Sequence, residues 1–111
     1  MPGQMDSTKA ARLIEEWISF YGMDDKDQWP REDYPFVKQS CEAMRLAIEI
    51  LRGNKVSADA KKTAAQLEKW PKVHSMDDPA YWESKDFPFV KSALEAIRFA
   101  ASFLRKQSSR P

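Results

Sequence analysis

The sequence predicts an all-α fold: a pseudo-twofold symmetric four-helix bundle, made by tandem duplication of a helical hairpin, with short helical turns in the connectors. Three observations predict it. Only three glycines occur in 111 residues, while the strong helix formers Leu, Ala, Glu, Lys, Arg and Met are plentiful. Apolar residues recur at three- and four-residue spacing along the chain, the period of a helix with one buried face. One segment also occurs twice: DYPFVKQSCEAMRLAIEILR at 33–52 returns as DFPFVKSALEAIRFAASFLR at 86–105.

Displaced by 53 residues, positions 13–52 align with 66–105 without a gap, and seventeen of the forty positions are identical. Segments of average composition match at about one position in sixteen, or two to three in forty. Duplication accounts for the excess. The repeats run over 6–53 and 59–106 within a single domain, 1–111. Two units are too few for an open solenoid. They are expected to close on each other as two identical subunits would, burying the same surface of each.

Each unit reads as helix, connector, helix. In the first, Asp6 or Ser7 is the cap, and Ala10, Leu13, Ile14, Trp17, Ile18 and Tyr21 form one face. Gly22 ends that helix in a left-handed conformation. The second unit starts after Gly53-Asn54, with Ser57 or Asp59 as cap and Ala64, Leu67 and Trp70 on the buried face. Pro71 replaces Ile18 here, so this helix should stop or kink near Trp70. The twin segments form the later helices, with Asp33 and Asp86 as N-caps and Pro35 and Pro88 in the first turn, where a missing N–H costs little.

The seam of the later helices is Val37, Cys41, Met44, Ile48, Leu51 and Val90, Leu94, Ile97, Ala101, Leu104. Phe36, Ala43, Ala47, Ile50 and Phe89, Ala93, Ala96, Ala100, Phe103 make a second row beside it. A stripe that wide belongs at the centre of a bundle, with the first helices on its flanks. Lys38, Glu42, Arg45, Glu49 and Arg52 alternate in sign on the remaining face, which reads as solvated.

The connectors carry the candidate functional residues. MDDKDQWPRED at 23–33 and MDDPAYWESKD at 76–86 share Met, two Asp, Trp and a final Asp. As structure, Asp24 or Asp25 caps a short turn and Trp29 lands against the hairpin, with Trp17, Trp29, Trp70 and Trp82 all substantially buried. As function, Asp24, Asp25, Trp29 and Asp77, Asp78, Trp82 present two similar acidic and aromatic surfaces to a partner.

Little in the chain points to a reaction. A metal site drawn from Asp24, Asp25 and Asp27 fails the calcium-loop spacing, and Asp27 becomes Ala80 in the other copy. His74, the only histidine, precedes Asp77 and Asp78 but has Tyr21 as its counterpart. Cys41, the only cysteine, sits on the apolar seam opposite Leu94 and reads as a buried hydrophobe. A glycine-rich phosphate loop and a nucleophile elbow are both missing.

The net charge is +1, so no global field advertises a nucleic acid or membrane. Seven basic and ten acidic residues lie in 1–53, against eleven and seven in 54–111. One cysteine permits no internal disulfide and suggests a reducing, cytoplasmic setting. No stretch of sequence has the length and apolarity of a membrane span. The expected function is a non-catalytic interaction or scaffold module that binds another protein and uses no cofactor or metal. The alternative is a small regulator touching nucleic acid through Lys55, Lys61, Lys62, Lys69, Lys72, Arg105, Lys106 and Arg110. A small-molecule pocket between the hairpins is a third reading.

Overall fold

The computed structural model describes residues 5–54 and 59–108. The helices follow in order: α1 (Ser7–Tyr21), α2 (Tyr34–Leu51), α3 (Ala60–Val73) and α4 (Phe87–Ser108), with a 3₁₀ turn at Lys26–Gln28 between the first two. They pack as a four-helix bundle. Both α1 and α3 lie against α2 and α4, and α2 also touches α4. The two longer helices are thus the elements common to most of the packing, and their alanines Ala43, Ala47, Ala96 and Ala100 are all buried.

The helix ends follow local chemistry. The Asp6 carboxylate accepts from the Lys9 amide at 2.8 Å, and Asp59 accepts from Lys62 at 3.2 Å. Ser7 lies inside α1. Ser57, the other candidate cap, falls outside the described residues, as do Lys55 and Arg110. Asp33 departs from expectation: it precedes α2 in helical backbone (φ −90°, ψ −24°) and its side chain makes no capping bond. The preceding turn does the work instead, because the amides of Asp33 and Tyr34 both donate to the Pro30 carbonyl at 3.0 Å. Amides that would otherwise be orphaned are met by backbone.

Pro71 also departs from expectation. The helix does not stop at Trp70 but runs on to Val73. Pro71 falls in the last turn, and His74 N–H closes that turn on the Trp70 carbonyl at 3.1 Å. α1 and α3 then end alike. Gly22 has φ +57° and Ser75 has φ +51°, and the next amides, Met23 and Met76, each reach back to Ile18 and Pro71 at 3.1 Å. This is a Schellman-type ending, with glycine in one place and a strained serine in the other.

The core runs from Ala10 and Ile14 through Met44 and Leu67 to Ile97 and Leu104. Its largest members are Trp17 and Trp70, each 1% exposed. Trp17 stacks on Phe89 at 5.8 Å and meets Trp82 at 6.3 Å, edge to face. Trp70 stacks on Phe36 at 5.9 Å and meets Trp29 at 6.2 Å, again edge to face. Each tryptophan therefore packs against rings brought by the other half of the chain, at separations that differ by about 0.1 Å. Ion pairs join Glu15 to Arg52 and Glu68 to Arg105, also 53 residues apart. Ser40 breaks the correspondence: it is fully buried and accepts from Gln66 at 3.2 Å, linking α2 to α3, whereas its counterpart is Ala93.

Candidate functional site

The connectors are built largely from their own hydrogen bonds. Asp25 accepts from the Asp27 amide at 3.0 Å and so caps the 3₁₀ turn. Asp24 instead pairs with Arg45 of α2 at 2.7 Å, an exposed contact. In the second connector Asp78 accepts from Ala80 at 3.0 Å, and Asp77 is exposed. The expected second helical turn is not there. Tyr81 donates to the Asp78 carbonyl at 3.1 Å, but no further bond extends the turn into a helix among the described residues.

Trp29 and Trp82 are half-buried, less covered than Trp17 and Trp70. Each packs against the core on one side while sitting at the edge of the bundle. Their indole N–H groups donate to the carbonyls of Gly22, at 3.0 Å, and Ser75, at 2.9 Å. Each tryptophan thus pins the left-handed residue that ends the preceding helix. The two sets of connector residues do not merge into one site: the ring partners of Trp29 are Trp70 and His74, and those of Trp82 are Trp17, Tyr21 and Tyr81.

The structure brings forward two residues that sequence reasoning passed over. Phe20 is 67% exposed and Tyr81 is 64% exposed. They lie at the two ends of an unbroken run of rings, Phe20, Tyr21, Trp82 and Tyr81, with successive centroids between 5.0 and 6.4 Å apart, and Phe89 packs on Phe20 at 5.3 Å. A sequence signal did exist for Phe20, since it falls outside the apolar stripe of α1 and its counterpart Val73 is also apolar and 60% exposed. Nothing comparable marked Tyr81, whose counterpart is Gln28.

Burial shifts Tyr21, Cys41 and His74. Burial, and then the negative charge of Asp86, push the Tyr21 hydroxyl above its ordinary value. Burial pushes the Cys41 thiol up, against the opposing pull of Arg45. Burial holds His74 below its usual value, partly offset by Asp33. His74 lies 4.0 Å from the Trp70 ring, centroid to centroid. Among the described residues, no three His, Cys, Asp or Glu side chains gather as a metal site would require, and no helix is long and apolar enough to cross a membrane.

Two open grooves border α3. The larger, about 740 Å³, lies between α3 and α4 and is lined by Glu68, Lys72, Arg98 and Arg105 over Pro71 and Ile97. A second, about 510 Å³, lies between α2 and α3, with Leu46 and Ala43 among Glu42, Lys62, Gln66 and Lys69. Lys61, Lys62, Lys69 and Lys72 are all exposed on α3. Comparison with family models, with curated proteins and with solved structures finds nothing that matches this chain.

Proposed function

We propose that this chain is a non-catalytic protein-interaction module, a pair of fused helical hairpins related by a pseudo-twofold axis, acting in the cytoplasm. The crossed ring contacts, Trp17 on Phe89 and Trp70 on Phe36, support the pairing, because a twofold relation exchanges them. The single observation that carries the interaction reading is the run of rings ending in Phe20 and Tyr81, both about two-thirds exposed. Aromatic residues are the anchors of protein interfaces, and a contiguous aromatic surface on a rigid helical base gives a partner a preformed platform. Trp82 belongs to this surface, with Asp77 and Asp78 beside it in the same connector. The Trp29 connector supports the bundle in the same way but lacks the exposed ring at Gln28.

The test is affinity capture from extract of the source cells with the wild-type chain and with the double variant Phe20→Asp/Tyr81→Asp. A specific protein retained by the first and lost from the second is the expected result. Equal recovery on both would overturn the assignment of this surface.

A further inference from the structure

The groove between α3 and α4 carries charge that its counterpart lacks. It is lined by Lys72, Arg98, Arg105 and Lys106 against one carboxylate, Glu68. The positions 53 residues earlier are Ser19, Arg45, Arg52 and Gly53, with Glu15 and Glu49 as acids, so there bases and acids balance. The balance is also structural. Arg45 is held by Asp24 at 2.7 Å, whereas Arg98 has no carboxylate partner among the described residues, and neither has Lys72. Bases near a helix C-terminus answer the helix dipole, which accounts for Lys72 in the last turn of α3. Arg98 stands in the middle of α4 and is not explained that way.

We propose that the α3/α4 groove is the docking site for an acidic protein segment that lays apolar side chains along the aliphatic stems of the lining Lys and Arg residues and sets carboxylates against Lys72 and Arg98. A volume of about 740 Å³ suits inserted side chains. Charge complementarity selects an acidic sequence and speeds its encounter. Nucleic acid fits less well. None of the lining residues is aromatic, so no ring is offered for base stacking, and a carboxylate, Glu68, is among them. The proposal rests on the chain being an interaction module, but it does not depend on the aromatic run.

The experiment uses the full chain and three fluorescein-labelled probes: a short helical peptide of Glu, Ala and Leu with leucines four residues apart, its Gln-for-Glu analogue, and a single-stranded oligonucleotide. Anisotropy is read at about 50 and about 200 mM salt, which spans the range where phosphate contacts weaken steeply. The acidic peptide should bind at least about tenfold more tightly than the Gln analogue. Lys72→Glu/Arg98→Glu should weaken it by a similar factor, and Lys72→Gln/Arg98→Gln by less. The charge-matched control Arg12→Glu/Lys38→Glu, on exposed positions of the first half, should change it less than about twofold. All three variants are checked for wild-type helicity and melting.

Equal loss in the groove and control variants, equal binding of the two peptides, or no binding at all would overturn the proposal. Tighter binding of the oligonucleotide than of the acidic peptide would overturn it in favour of nucleic acid. Phe20→Asp/Tyr81→Asp should leave peptide affinity unchanged. If the groove fails while capture still depends on Phe20 and Tyr81, the groove alone is refuted.

Discussion

Replacing Trp70 with alanine tests how the core is assembled. The ring is 1% exposed, stacks on Phe36 at 5.9 Å, and touches Trp29 and His74. Emptying such a site costs about 3–5 kcal/mol. The indole N–H of Trp70 is buried without a hydrogen-bond partner among the described residues, as is that of Trp17, and an unmet buried donor is itself a burden of about 1–3 kcal/mol. Removing the ring removes that burden, so the loss should fall at the lower end, about 3 kcal/mol. A domain of this size has about 5–15 kcal/mol in hand, so the variant still folds.

Trp17→Ala should cost the same within about 1 kcal/mol, because its ring contacts repeat those of Trp70 almost distance for distance. Phe at either position keeps a ring and drops the orphaned donor, so it should fall within about 1 kcal/mol of wild type. The assay is urea unfolding followed by helical circular dichroism. A difference above about 2 kcal/mol between the two alanine variants would refute the equivalence of the two sites. Phenylalanine variants as damaging as alanine would refute the account of the buried N–H.

Four further predictions concern single residues. His74 is held below its ordinary 6.5 by burial, so the unfolded chain takes up its proton first as pH falls. Its contribution to stability is complete above about pH 6.5 and is lost as pH falls from there toward the folded value. His74→Tyr, the residue found at its counterpart Tyr21, should flatten that part of the pH dependence of the urea midpoint. Ser75 pays for φ +51°, so Ser75→Gly should stabilise by about 0.5–1 kcal/mol. Gly22→Ala should destabilise by more, since a Cβ at φ +57° is strained and the Gln28 side chain must also swing aside. Cys41 is buried with its thiol pushed up, so a disulfide reagent near pH 8 should modify it in urea much faster than in the native protein.

What could be read in the sequence was what neighbouring residues decide. The 3.6-residue period placed all four helices and the buried seam from Val37 to Leu51, because one helix face must leave water whatever it packs on. Asp6, Asp59 and Gly22 announced helix ends through groups a few residues away. Local signals failed at Asp33, whose side chain makes no capping bond while the Pro30 carbonyl accepts from the Asp33 and Tyr34 amides. Pro71 misled as well: the helix takes the proline in and runs on two residues, to Val73.

The surface was decided by tertiary structure. Phe20 and Tyr81 are 61 residues apart in sequence and become one aromatic run only when α4 brings Phe89 against α1 and Trp82 folds over Tyr21. Arg98 looks like Arg45 in sequence, and only the coordinates show Arg45 paired with Asp24 while Arg98 has no ion pair among the described residues. Apolar periodicity reports which side of a helix is buried, since burial is repaid in proportion to area. Partners across space depend on how helices cross and where connectors land, and no nearby residue encodes that.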